Sequence, residues 1–240
     1  ALGWPEDEKK FQEFWGTNEK PNAIQVAGKD NLRQQSAMWQ AMLMAADLPP
    51  TRQIFIHGFI TSGGQKMSKS LGNVIDPFEY VKKYGTDALR YYLLAKISPT
   101  EDSGFTKEKF KEVYNADLAN GLGNLAARVA KLCELIDLTI PKPDKFNLHE
   151  FVKQSFETYR FDHALQAVWD RLKGLDNQIN KHELWKDTRK KFHILVNVIE
   201  SIRQTAHDLK PFLPETAEKI EKQFKGPKII SEKPLFPRLV

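Results

Sequence analysis

Three sets of apolar residues recur at spacings of three and four along the second half of this 240-residue chain. The first is Leu118, Leu122, Leu125, Val129 and Leu132. The second is Phe161, Leu165, Val168, Leu172, Leu175 and Ile179, and the third Phe192, Leu195, Val198, Ile199, Ile202 and Leu209. At 3.6 residues per turn each set falls on one stripe of a helix, and such stripes are hidden by packing helix on helix. The second half is therefore constrained to a helical bundle, punctuated by "IPKPDKFN" (residues 140–147) and "LKPFLP" (209–214). Trp169 lies within the second stripe and is expected in the core.

The first hundred residues have a different texture. "AIQVAG" (23–28) is a short β-rich run, "NLRQQSAMWQAMLMAA" (31–46) carries helical spacing, and "RQIFIHGFI" (52–60) is a second β-rich run after the break "LPPT". Strand, helix, strand predicts a parallel crossover unit. "DPFE" predicts a helix start with Asp76 as N-cap, Pro77 first and Glu79 third, and "TDALRYYLLAKI" (86–97) predicts another helix. The polar stretch "SPTEDSG" (98–104) separates the two textures. The fold class is α/β followed by all-α, with domains at residues 1–104 and 105–240.

Composition removes several function classes. Hydrophobic content of 41% and charged content of 28% are those of an ordinary globular chain. No apolar run reaches membrane-spanning length, so no membrane partner is expected, and no secretory signal pattern is present. Cys133 is the sole cysteine, which rules out an internal disulfide framework and a cysteine zinc site and accords with a cytoplasmic location. The net charge of +5 permits nucleic-acid binding without arguing for it alone. The first residue is Ala1, which leaves room for a longer parent chain.

"GGQKMSKSLGN" (63–73) is the most informative stretch. It sets Lys66 and Lys69 three apart, with serines between and after them and a glycine pair ahead. Gly63 and Gly64 give backbone freedom. Two ammonium groups on such a loop can close over a polyanion, and if they meet it only as it reacts they stabilise developing charge. A solvated surface turn is the competing reading.

The string Lys66-Met67-Ser68-Lys69-Ser70, with "SLGN" after it, resembles the signature of class I aminoacyl-tRNA synthetases. Together with "GKD" (28–30), "HGF" (57–59), "DALRYYLL" (87–94) and "SPTEDSGFTKEKF", in this order, the chain resembles the second half of methionyl-tRNA synthetases. The resemblance implies the C-terminal part of a Rossmann-like catalytic domain followed by a helical anticodon-binding domain. It implies a ligase that joins methionine to its tRNA through methionyl-adenylate, with methionine, ATP and methionine tRNA as partners and Mg2+ accompanying the ATP. It gives catalytic roles to Lys66 and Lys69 and ATP contacts to Gly28, Asp30, His57, Ile60, Lys66, Ser68 and Lys69. From the residues alone, Asp30 also reads as the N-cap of the following helix, Gly28 as a strand end and His57 as structural.

The chain departs from the family's pattern in one place. Members often carry Phe-His after "GKDxLR" in the methionine pocket, and here Gln34 and Gln35 stand there. Two amides do not supply an aromatic wall for a thioether. A His-x-Gly-His-type motif, the family's other nucleotide signature, is absent from the 240 residues. The chain is thus expected to be a C-terminal portion that does not form methionyl-adenylate alone. The resemblance assigns anticodon contacts to Asn124, Arg128 and Trp185. Asn124 and Arg128 are four apart and share a helix face, and Trp185 is surrounded by Lys181, Lys186, Arg189, Lys190 and Lys191. Leu184 precedes Trp185 where the family usually has proline. A polar bundle face and a core tryptophan are the competing readings. The alternatives for the whole are a class I synthetase for another amino acid and a tRNA-binding module without catalysis.

Overall fold

The structure is a computed structural model that describes residues 3–136, 139–143 and 145–239, without the Lys69 side chain. Packing divides it into two compact units. One runs to Thr61 and takes in Thr100–Ser103; the other comprises Ser62–Pro99 and the residues from Gly104 onward.

The first unit holds helix α1 (Glu8–Trp15), capped by Asp7, whose carboxylate accepts from Lys10 N at 3.0 Å. Strands β1 (Ile24–Gly28) and β2 (Gln53–His57) pair in parallel from Ile24↔Gln53 to Gly28↔His57, as strand–helix–strand order requires. The connection is helical over residues 29–45 but not uniform. A 3-10 turn (Lys29–Asn31) leads to a π segment (Gln34–Met38) and then helix α2 (Trp39–Ala45). The N-cap of the first turn is Gly28 rather than Asp30, because a 3-10 turn begins two residues earlier than the apolar spacing suggests. The second β-rich run also breaks at Gly58, giving β2 and a separate strand β3 (Ile60–Ser62). Gly58 is buried, and a side chain there would overlap the Glu101 carbonyl. Among the described residues of this unit the buried apolar side chains are Phe11, Leu43 and Pro49.

The second unit is helical. After strand β4 (Gln65–Lys66), helix α3 (Pro77–Tyr84) starts as expected, with Asp76 accepting from Phe78 N at 2.9 Å and Pro77 in the first turn. Helix α4 (Thr86–Ala95) packs into the bundle. Arg90 donates to the Phe212 and Pro211 carbonyls at 2.6 and 2.8 Å, and the buried Asp87 accepts from Thr216 N at 2.6 Å. These bonds and the burial of Tyr91 and Tyr92 explain why residues 62–99 pack with the bundle, although the sequence texture changes only near 104. Beyond strand β5 (Ser103–Phe105), the chain is helical without a break over residues 107–134: α5 (Lys107–Val113), a π segment (Tyr114–Gly123) and α6 (Asn124–Glu134). Helices α7 (Glu150–Glu157), α8 (Phe161–Lys181), α9 (Phe192–Leu209) and α10 (Pro214–Gln223) complete the bundle. All the predicted stripe residues are buried except Phe161 and Phe192, which sit half-exposed at helix starts. Trp169 is buried as expected and donates to the Asp117 carbonyl at 3.2 Å.

Candidate functional site

In the first unit the parallel pair sets Gly28 opposite His57 at the carboxyl ends of both strands, where ligands sit in open parallel sheets. A Cβ on Gly28 would lie 3.0 Å from Asp30 Oδ1 and 3.6 Å from His57 Cε1, so the bare glycine keeps the space between them open. His57 Nδ1 lies 2.8 Å from the Gly58 carbonyl. A carbonyl only accepts, so Nδ1 carries the hydrogen and Nε2 is the ring's acceptor when neutral. Ile60 is half-buried at the start of β3.

Sequence reasoning missed the clamp beside this group. Lys29 Nζ bonds Asp102 Oδ2 at 2.6 Å and lies 4.6 Å from the Phe59 ring centroid, while Phe59 N donates to Asp102 Oδ1 at 2.8 Å. The hydrogen bond from Lys29, then that from Phe59, holds the Asp102 carboxyl below its usual range. The signal was present in "GKD" and "EDSG", but only folding brings residues 73 apart in sequence together. Gln34 is exposed and Gln35 half-buried, both on the π segment; Gln35 O accepts from Gln40 Nε2 at 3.0 Å.

In the second unit the lysine loop begins with Gly63 and Gly64, at φ of 58° and 79°, a conformation that strains any other L-residue. Lys66 is exposed and Ser68 half-buried. The Lys69 side chain lies outside the described residues. Asn73 ties the loop across its base: its Oδ1 accepts from Ser68 N at 2.8 Å and its Nδ2 donates to the Lys66 carbonyl at 3.2 Å. Ser68 and Ser70 hydroxyls bond each other at 2.7 Å. The loop thus presents Lys66 from a closed polar turn.

The third group lies on the bundle surface. Asn124 and Arg128 sit one turn apart on α6. Arg128 donates from NH1 to Asp176 Oδ1 at 2.8 Å and from NH2 to Asn180 Oδ1 at 2.5 Å, both on α8. Its guanidinium carbon lies 5.2 Å from the Trp185 ring centroid, a cation–π distance. Trp185 is 46% exposed, in contrast to the buried Trp169. It is held out by the segment after α8, where Leu184 is buried, Thr188 Oγ1 donates to the Leu184 carbonyl at 2.6 Å and Lys191 Nζ donates to the His182 carbonyl at 2.7 Å. Lys186 bonds Glu183 at 2.7 Å, which keeps that carboxyl below its usual range. Asn124, Asp176, Trp169, Asp117 and Asn120 line an adjoining cavity of about 240 Å³. Asp176 and Asn180 were not singled out from sequence; their i,i+4 spacing was visible, but not their partner 48 residues away.

Among the described residues no group of three or more His, Cys, Asp or Glu is placed to hold a metal. No described helix is long and apolar enough to cross a membrane.

The family models divide the chain at a third place, between residues 130 and 146. A family model described as tRNA synthetases class I (M) matches residues 3–130, and one described as the anticodon-binding domain of tRNA ligase matches residues 146–239. The methionine–tRNA ligase of Clostridium acetobutylicum is 39% identical over 93% of this chain and 37% of its own length. That of Synechocystis is 38% identical over 85% of this chain and 42% of its own. The solved structure of Mycobacterium tuberculosis methionyl-tRNA synthetase in complex with methionyl-adenylate superposes with a TM-score of 0.84 at 28% identity, covering 99% of this chain and 53% of that one. The chain therefore spans about half the length of these relatives or less. With a family match across more than half of its residues, the chain belongs to the class I (M) tRNA synthetases, the methionyl-tRNA synthetase family.

Proposed function

We propose that this chain supplies the phosphate-side loop and the anticodon-reading half of a cytoplasmic methionine–tRNA ligase, with the functional boundary at residue 104. In the first half-reaction a methionine carboxylate oxygen attacks the α-phosphorus of ATP, giving methionyl-adenylate and pyrophosphate. Lys66 and Lys69 bind the departing phosphates and stabilise the charge that develops there; Ser68 holds the loop's shape. Mg2+ accompanies ATP as part of the substrate. Gly28 leaves room for the nucleoside, Asp30 accepts from the ribose hydroxyls, and His57 and Ile60 flank the adenosine. In the second half-reaction the terminal ribose hydroxyl of the tRNA attacks the methionyl carbonyl and AMP leaves. Gln34 and Gln35 are assigned to the amino-acid pocket.

The single observation that carries the tRNA reading is the exposed Trp185 face with the Arg128 guanidinium beside it, a platform suited to an unstacked base. Asn124 bonds a base edge from the same side of α6. The surrounding lysines and Arg189 attract phosphates without reading sequence. The test is equilibrium titration of the chain with methionine tRNA and with the same tRNA bearing an altered CAU anticodon, at two salt concentrations. Discrimination of about 1–3 kcal/mol per changed base, persisting at higher salt, is expected. Equal binding that fades steeply with salt would leave only phosphate attraction.

A further inference from the structure

Resting on the reading of the bundle surface as an anticodon site, we infer that Asp176 and Asn180 are positioning residues that convert Arg128 from a free cation into a fixed, charge-compensated hydrogen-bond donor, and so set specificity for the base at Trp185. The geometry is a closed triangle. Arg128 bonds Asp176 through NH1 and Asn180 through NH2, and Asn180 Nδ2 donates to the other Asp176 oxygen at 3.0 Å. Asp176 and Asn180 are one helical turn apart on α8, so both face α6 together. The Asn180 amide has no choice of orientation, since its oxygen meets the arginine and its nitrogen the carboxylate.

The consequence is electrostatic. A guanidinium has five N–H donors, and the triangle uses two, leaving three for a ligand. The Asp176 carboxylate at 2.8 Å cancels most of the cation's field at longer range, so Arg128 adds little to general phosphate attraction. What remains is short-range donation from a fixed plane beside an aromatic face. The ligand it suits is an unpaired base offering an acceptor edge, a carbonyl oxygen or ring nitrogen. Asp176 also lines the cavity that Asn124 borders. Both partners of the ion pair are part-exposed, so the bridge is worth little to folding, and its specific length and triangulation serve the ligand instead.

The experiment extends the titration above to Asp176→Asn, Asp176→Glu and the double variant Arg128→Met/Asp176→Asn, at about 50 and about 200 mM salt. Asp176→Asn is expected to lose about ten-fold of its discrimination between CAU and altered anticodons. It should bind the altered tRNA more tightly than wild type does at low salt, with a log–log salt slope steeper by about 0.7–0.9, one extra phosphate contact. Asp176→Glu should recover most of the discrimination, and the double variant should lose the low-salt gain, because the cation released by the single change is gone. A uniform weakening toward both tRNAs with an unchanged salt slope would overturn the inference, since a merely structural role predicts that. Gain persisting without Arg128 would overturn it too. If wild type itself does not discriminate, the underlying anticodon reading fails first, which the same data set shows separately.

Discussion

At the scale of single residues, Asn73 decides the shape of the lysine loop. Its amide bridges the Ser68 N–H and the Lys66 carbonyl, with one bond accepted by its oxygen and one donated by its nitrogen. Replacing it by alanine removes both. Exchange of the Ser68 amide with solvent should then quicken about five-fold, the worth of one net hydrogen bond. Asn73→Asp keeps the acceptor for Ser68 and loses only the donor, so the Ser68 amide should stay protected. Hydrogen exchange followed by NMR separates the two, and equal rates in both variants would show that the loop holds itself without Asn73. The residue was legible as part of "SLGN", but its role was not. A side chain that bonds backbone five and seven positions away announces itself only in the folded turn. The same holds for Asp176 and Asn180, whose partner arrives from another helix, and for Lys29 with Asp102.

At the scale of elements, local rules read the chain well where one residue does one job. Asp76 ahead of Pro77 is such a case: it accepts from Phe78 N at 2.9 Å and satisfies an otherwise orphaned donor at the start of α3. Asp76→Ala should cost about 1 kcal/mol, seen as a fall of about 2–4 °C in the thermal transition of the second unit, while Asp76→Asn should nearly restore it. An unchanged midpoint in the alanine variant would mean water replaces the cap at no cost. The parallel pairing of β1 with β2 and the three buried stripes were legible for the same reason, since period and order are local properties. What failed was boundary detail. The break at Gly58 comes from the Glu101 carbonyl crowding that position, and the shift of the cap from Asp30 to Gly28 comes from the tight turn there. Gln34 and Gln35 fall on a π segment that apolar spacing cannot distinguish from an α-helix, so their displayed direction was not readable either.

At the scale of the whole molecule, the two units differ in how much apolar surface they hide. In the first, Val26, Met42 and Met44 are 64%, 61% and 69% exposed, and Ile24, Leu32, Met38 and Trp39 are exposed beside them. In the second, the three helical stripes are buried, and Cys133 lies buried as well. Stability follows the buried area, so the first unit should open at lower denaturant than the second. Cys133 gives a direct reading of the difference. Burial pushes its thiol up to about 12, with Arg203 opposing weakly. At pH 8 only roughly one folded molecule in ten thousand carries the reactive thiolate, against about a quarter of unfolded chains. A urea titration should therefore show an early change in tryptophan fluorescence with Cys133 still protected, and a later transition in which the thiol becomes reactive. The pH dependence has a fixed sign. A group whose folded pKa is raised contributes stability in full below its unfolded value, near 8.5, and loses it as pH climbs from there toward about 12. The second transition should accordingly move to lower urea as pH rises above about 8.5, with the thiol's share of that shift absent in Cys133→Ser. A single transition, with thiol exposure coincident with the first fluorescence change, would mean that the two units unfold as one.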